Sequence, residues 1–450
     1  MDLLNPIDAL FLTTESREHP MHVGGLQLFE PPADAGPEFI RAVYDELMDA
    51  TDVSRRFRRQ QRRILGNFSS VVWSHAEHVD LGYHLRRCAL PAPGGDSELL
   101  DLVGRLHSSL LDRHRPLWEG RLIEGLSRNR YAVYLKVHHA LMDGVSALRL
   151  LQRFLTDDPL DTRLRAPWTL GRDRHEPDEA TSVWEQLRRA APRLVTGVGA
   201  SAGALRSVIE GRLELPLSAP PTMFNVPIGG ARSVAVGSLP LERIHAVRSA
   251  TGTTVNDVVL ALSASALRAY LLDRNALPDK PLTAMVPVSL RSAHESDADG
   301  NKVAALLCNL GTHLADPVER LQTISTSMRR SKEVFAQLPR LESVALSALL
   351  LSPLPLVFMP GFQALPRVPF NLVISNIPGP RKPVYGKGAR LESNYPLSIP
   401  FDGQAMNITV TSTAENLDFG IVGCRRSVPR LSSLIDHIET GLKDLERATL

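Results

Sequence analysis

Hydrophobic and polar positions change period repeatedly along the chain. Over 131–139, YAVYLKVHH alternates with a period of two and is rich in β-branched and aromatic residues, so it predicts a strand. The next segment, GVSALRLLQRFL at 144–155, returns to helical spacing and predicts a helix. Upstream, Phe39, Val43 and Leu47 share one face of a helix over 38–50, after a proline-rich turn near residue 32. SSVVW at 69–73 reads as a short strand, and 97–112 as a helix that ends before RHRPLWEG. Downstream, helices are expected over 240–250, 254–273, 316–338, 341–351 and 430–447. LTAMVPVSL (282–290), FNLVISNIPG (370–379) and MNITVTSTAENLDFGIVGC (406–424) are expected strands.

The pattern breaks over 156–232. TDDPLDTRLRAPW (156–168) has the composition of a linker. The stretch 182–213 is amphipathic, rich in small residues and carries Arg188, Arg189, Arg193, Arg206 and Arg212. It suits a membrane surface, and equally a surface helical hairpin between two domains. The chain therefore divides into 1–165, a linker and amphipathic segment over 166–231, and 232–450. Both outer parts mix strands with helices, an α/β (α+β) organisation. A chain of 450 residues is also long for a single core.

Composition removes several function classes. Apolar content of 43% and charged content of 22% are those of a globular protein in water, and a net charge of +2 supplies no field for nucleic acid. Cys88, Cys308 and Cys424 are scattered and form no CxxC pair, which points to reduced thiols in a cytoplasmic setting and no zinc ribbon. The opening MDLLNPIDALFLTTESREHP lacks a basic n-region and does not read as a secretory signal. The uncharged run 343–366 is long enough to span a bilayer, but Pro353, Pro355, Pro360 and Gly361 interrupt it. A buried helix followed by an irregular apolar loop is expected there. RRFRRQQRR (55–63) fits a phosphate-bearing ligand, an anionic lipid surface or a solvated basic face.

Candidate chemistry concentrates in KVHHALMDGVS (136–146). On a strand, Ala132, Tyr134, Lys136 and His138 share one face; Tyr131, Val133, Leu135, Val137 and His139 share the other. The second face is apolar, so His139 is expected to be the buried histidine and His138 to lie on the more polar side. Burial favours the neutral imidazole, the form a general base needs. Asp143 reads either as a helix N-cap or as a carboxylate that holds the loop through a buried cation. Gly144 suits a tight turn where a side chain would clash. Adjacent strand histidines point apart and do not share an ion easily, so no metal is expected. GASAG (199–203) offers Ser201 as a nucleophile, but a helical pattern precedes it where a nucleophile elbow needs a strand.

HHxxxDG at 138–144 resembles the signature of the CoA-dependent acyltransferase superfamily. RPLWEG (115–120), TVNDVVLA (254–261), MVPVSLR (285–291), GNKVAALLCNLGT (300–312), NLVISNIPGP (371–380), MNITVTSTAENLDFGIVGC (406–424) and the opening LNPIDALFL (4–12) narrow the resemblance to bacterial wax ester synthase/diacylglycerol acyltransferases, over almost the whole chain. The resemblance implies two chloramphenicol-acetyltransferase-like domains, each a mixed sheet covered by helices, with an active-site channel between them. It implies acyl transfer from acyl-CoA to diacylglycerol or a long-chain alcohol, with His139 as general base and His138 in support. Asp143 would be structural, paired with Arg291, and Gly144 completes the motif. Pro116, Leu117, Trp118, Asn256, Asp257, Ser289, Arg291, Ser375 and Asn376 are the implied substrate-binding or structural positions. No metal or organic cofactor is implied, because acyl-CoA is a substrate. A cytoplasmic protein associated peripherally with the inner membrane face or with lipid droplets is expected. Two other readings remain: an acyltransferase with a polyketide or other lipid alcohol acceptor, and a non-catalytic lipid-binding protein of lipid droplets.

Overall fold

Fifteen strands are formed by the residues that the computed structural model describes: 2–3, 6–63, 71–142, 144–169, 218–290, 302–337, 346–347 and 368–450. In chain order they are β1 (Asp2–Leu3), β2 (His22–Glu30), β3 (Arg59–Arg63), β4 (Val71–His75), β5 (Leu85–Ala89), β6 (Trp118–Glu124) and β7 (Tyr131–His138). The later part of the chain adds β8 (Arg232–Pro240), β9 (Thr283–Leu290), β10 (Lys302–Asn309), β11 (Leu372–Ile377), β12 (Tyr385–Gly386), β13 (Ala389–Leu397), β14 (Met406–Ser412) and β15 (Asn416–Cys424).

They assemble into two six-stranded sheets and a small third one, β1-β4-β3. The first large sheet has the order β12-β13-β2-β7-β6-β5, the second β10-β9-β11-β14-β15-β8. Both are mixed: β5 runs parallel to β6, and β11 runs parallel to both β9 and β14. This is the mixed two-domain α/β architecture expected.

The two sheets do not follow the linear division of the chain. β12 and β13 lie far along the 232–450 stretch, yet β13 pairs antiparallel with β2, from Arg390 opposite Glu30 to Leu397 opposite Gly24. The late part of the chain thus crosses over to complete the early sheet. Local periodicity in ARLESNYPL does not announce this, because its hydrogen-bonding partner lies hundreds of residues upstream.

Opposite faces of β2 and β7 meet different layers. Val23, Phe29, Tyr131, Leu135 and Val137 pack with Val43 and Leu47 of helix Phe39–Asp49 and with Trp118 and Trp168. Leu26, Leu28, Ala132 and Tyr134 pack with Leu99 and Val103 of helix Asp96–Ser108, and with Val234, Tyr395 and Val422. That second cluster is the seam between the two sheets. Approach there is so close that a Cβ on Gly420 would lie 1.9 Å from the Pro396 carbonyl oxygen.

The second sheet is backed by helices Val255–Leu272, Pro317–Gln337 and Ser433–Thr449. Helix Val255–Leu272 is long and apolar enough to cross a bilayer by length and composition, but 67% of its apolar window is buried against its neighbours, as in a core helix. Thr254 and Asp257 start it with reciprocal capping hydrogen bonds. Of the helix expected at 341–351, Leu346 and Ser347 are described; both are helical and buried. The remainder of the 343–366 run lies outside the described residues, as do 182–213 and Ser201.

Candidate active site

β7 delivers the two histidines at the point where pairing on both of its sides ends. His22 of β2 is opposite His138, and Trp118 of β6 is opposite Val137. Beyond these pairs the backbone is held by single bonds to flanking chain. The His138 N–H donates to the Leu117 carbonyl at 2.9 Å, and the His139 N–H donates to the Met21 carbonyl at 2.9 Å. The chain then turns through 140–142 and enters helix Gly144–Arg153.

Alternation along β7 does not separate a wet face from a dry one. His138 is 0% exposed and His139 5%, and Lys136 on the supposedly polar face is 1% exposed. The expectation that only the His139 side points into a core is corrected, because β7 is covered on both sides. Its polar groups are instead bonded internally. Lys136 Nζ donates to the carbonyls of Leu106 (3.0 Å) and Ser109 (2.8 Å), at the C-terminal end of helix Asp96–Ser108 where a cation is favoured. His107 Nδ1 is 2.8 Å from the Tyr134 hydroxyl, and His22 Nε2 is 2.9 Å from the His107 carbonyl. Burial, helped by the Lys136 charge, pushes the His107 imidazole down to about 3 and that of His22 well below its ordinary value, so both are neutral. Burial also pulls Lys136 down to about 8, against the pull of Glu119.

The two adjacent rings have different surroundings. The Ala140 N–H donates to His138 Nδ1 at 3.0 Å, so that nitrogen is an acceptor and Nε2 carries the proton. His138 Nε2 lies 3.3 Å from Glu15 Oε1, with the Glu15 side chain 1% exposed. Glu15 also accepts from the Met21 N–H at 3.2 Å and from Arg113 Nε at 2.9 Å. Burial would raise the Glu15 carboxyl, but the His138 ring, the Arg113 guanidinium and the Met21 N–H together hold it below the usual carboxylate range. His139 instead stacks on the Phe11 ring, with centroids 4.1 Å apart and planes inclined by 30°. Helix Pro6–Thr14 supplies Phe11. Glu15, Phe11 and Arg113 were not identified from the sequence. Phe11 falls within the opening LNPIDALFL without standing out there, no motif marks Glu15 or Arg113, and a glutamate directly after an apolar helix reads as ordinary surface.

The other expected site residues fall into separate groups. Pro116, Leu117 and Trp118 are all buried. Trp118 donates its indole N–H to the Phe57 carbonyl at 2.9 Å and stacks on His84 and Trp168. These residues are core, and they touch the histidines through the Leu117 carbonyl. Asp257 caps its helix and accepts from the Ser325 hydroxyl at 3.3 Å; Asn256 precedes it in the same first turn. Ser375 and Asn376 are half-buried on β11, in register with Thr409 and Val410. Ser289 pairs with Val303 across β9 and β10. Asp143 and Arg291 lie outside the described residues. The clash expected at Gly144 is absent: a Cβ there would meet only Val23 Cγ1, at an ordinary 3.9 Å. The basic segment 55–63 splits between Phe57 in the core and arginines on the β3 edge. Among the described residues, no three His, Cys, Asp or Glu side chains cluster as a metal would require.

Comparisons agree over the whole chain. Residues 4–259 match the model of the wax ester synthase/diacylglycerol acyltransferase catalytic domain, and 299–446 match that of the WS/DGAT C-terminal domain. A probable diacylglycerol O-acyltransferase of Mycobacterium tuberculosis is 53% identical over 452 residues, covering 100% of this chain and 99% of that protein. The solved structure of a wax ester synthase/diacylglycerol acyltransferase from Marinobacter aquaeolei is 39% identical, with a TM-score of 0.82 over 100% of both chains. The starter condensation domain of rhizomide synthetase, solved with C8-CoA and Leu-SNAC, shares the fold at 15% identity. Its TM-score is 0.60, over 100% of this chain and 95% of that one.

Proposed function

We propose a function from one premise: the chain belongs to the wax ester synthase/diacylglycerol acyltransferase family. It is an acyl-CoA-dependent acyltransferase. Its acceptor is the hydroxyl of diacylglycerol or of a long-chain alcohol, and its products are triacylglycerol or wax ester and free coenzyme A. His139 is the general base. The observation that carries this assignment is the commitment of His138: its Nδ1 accepts from Ala140 and its Nε2 faces Glu15. A ring hydrogen-bonded at one nitrogen and set 3.3 Å from a buried carboxylate at the other is placed to hold structure, so we assign the proton transfer to His139.

An alcohol is a weak nucleophile at neutral pH, whereas a thioester is activated and its thiolate leaves readily. His139 takes the hydroxyl proton as the oxygen attacks the thioester carbonyl. A tetrahedral intermediate then expels the thiolate, which receives that proton. Acyl transfer is direct, so no acyl-enzyme forms and no metal or organic cofactor takes part. One positioned base contributes ~10²–10⁴-fold. The resemblance implies a pairing of Asp143 with Arg291, on which Asp143→Ala is expected to lower the melting temperature together with activity. The Arg-rich segment 182–213 supports peripheral residence on a cytoplasmic membrane face or lipid droplet, which high salt or alkaline washing should reverse.

Thiol release from palmitoyl-CoA tests the reading, with diacylglycerol, hexadecanol and a panel of other lipid alcohols as acceptors. Release that depends on one of the first two is expected. His139→Ala should lose ~10²-fold or more in kcat, and His138→Ala less. Turnover restricted to another acceptor selects a superfamily enzyme of different specificity, and binding without thiol release selects a lipid-binding protein. An acyl adduct on the intact protein, formed without alcohol and discharged by adding one, would refute direct transfer.

A further inference from the structure

We infer that Glu15 is a positioning residue for the two-histidine motif, holding His138 in one tautomer and orientation and thereby setting where the His139 ring stands. This rests on the assignment of His139 as the base.

Three connections converge on this carboxylate. Its Oε1 lies 3.3 Å from His138 Nε2, the nitrogen that must carry the proton because Nδ1 accepts from the Ala140 N–H. A buried imidazole N–H needs an acceptor, and with both side chains no more than 1% exposed, water does not compete freely for the place. The same Oε1 accepts the Met21 N–H at 3.2 Å, while the Met21 carbonyl accepts the His139 N–H at 2.9 Å. Glu15 thus faces the His138 ring directly and reaches the His139 backbone through one residue, Met21. The third connection is covalent. Four residues before Glu15, on the helix that leads into it, Phe11 stacks on the His139 ring at 4.1 Å.

An isolated buried carboxylate would be costly, and Arg113 offsets that cost. Its Nε donates to Glu15 Oε2 at 2.9 Å, and its Nη2 donates to the Leu12 carbonyl at 2.8 Å. Arg113 stands three residues before Pro116, in the segment whose Leu117 carbonyl receives the His138 N–H. The segments before β2 and before β6 are therefore joined through Glu15 at the end of β7. An ionised carboxylate facing an imidazole N–H is a stronger and more directional anchor than a neutral acceptor. That charge-assisted anchor is the property that separates positioning from a simple staple of the N-terminal segment.

Glu15→Gln keeps the size and an acceptor for Met21 but removes the charge. Carboxylates that orient metal-ligating histidines are worth ~10–100-fold; on the same scale for this ring, kcat should fall by about that factor while KM for palmitoyl-CoA and for the alcohol stays within about two-fold. Glu15→Asp keeps the charge in a shorter side chain and should recover part of the loss, although its packing is worse. In a His138→Ala background, Glu15→Gln should cost nothing further in kcat, because the group it anchors is gone. Wild-type kcat per folded molecule in Glu15→Gln, a loss confined to KM, or additive losses in the double variant would each overturn the assignment. If Glu15→Gln does not fold, Glu15→Asp decides: reduced kcat at unchanged KM supports the assignment, and unchanged kcat sinks it. If instead His139→Ala retains full activity, the underlying reading of the base has failed, whatever Glu15 does.

Discussion

Asp418 offers a measurement of how the two sheets are held together. It is fully buried on β15, in the second sheet. Its Oδ1 accepts the Ser238 hydroxyl at 2.6 Å, and its Oδ2 accepts the Asn394 N–H at 2.8 Å. Asn394 lies on β13, in the first sheet, so one carboxyl group bridges the seam. Burial pushes this carboxyl up to about 7, opposed by the Ser238 and Asn394 hydrogen bonds and assisted by Glu392. In the unfolded chain an aspartate titrates near ~3.9. Between those values the folded protein keeps a proton that the unfolded chain has released. The stability contributed by the protonated group is therefore complete below about pH 4, lost as pH rises to about 7, and constant above. The gap corresponds to roughly 4 kcal/mol. Asp418→Asn removes the titration while keeping an acceptor for the Asn394 N–H, and the Ser238 hydroxyl can reverse to accept from the amide. Urea unfolding of both proteins at pH 4.5, 6 and 8 should show the variant gaining on the wild type by a few kcal/mol across that range. A stability difference that does not change with pH, or that moves the other way, would refute the account of a neutral carboxyl at the seam.

Two further predictions concern residues whose role is packing. Trp118→Phe leaves the Phe57 carbonyl without its indole donor and removes part of a stacked ring, at a cost of about 2–4 kcal/mol. It should lower the melting temperature with KM for acyl-CoA unchanged; a tenfold rise in KM at unchanged melting temperature would restore Trp118 as a substrate contact. Gly420→Ala would place a Cβ 1.9 Å from the Pro396 carbonyl oxygen and force β13 away from β15. We expect a loss of about 2–3 kcal/mol or more together with weakened activity, checked by thermal unfolding; a variant as stable as wild type would mean the seam is looser than this contact implies.

Much of the local structure was legible in the sequence. Tyr131–His138, Phe39–Asp49, Val255–Leu272 and Ser433–Thr449 form where alternating or helical spacing placed a strand or a helix. These elements depend on neighbours in the chain, and a period of two or of 3.6 records which face each will bury. The HHxxxDG motif could be read for the same reason, since its residues are contiguous at the end of one strand. β2 and β13 escaped notice, because HVGGLQLFE and ARLESNYPL carry glycines, proline and polar residues that blur the alternation.

What tertiary structure alone decided was which distant segments meet. Alternation along β7 separates two side-chain faces but carries no information on whether solvent lies beyond either one. Helix Asp96–Ser108 and the second sheet cover the face that bears Lys136, and so both histidines are buried. The pairing of β13 with β2, the carboxylate of Glu15 against His138 and the ring of Phe11 on His139 join positions far apart in the chain. The sequence determined elements such as β7 and the helices Phe39–Asp49 and Val255–Leu272, and the place of the HHxxxDG motif, because those depend on near neighbours. The surroundings of that motif were set by long-range closure, in which hydrogen bonding and apolar burial select partners that no local pattern names.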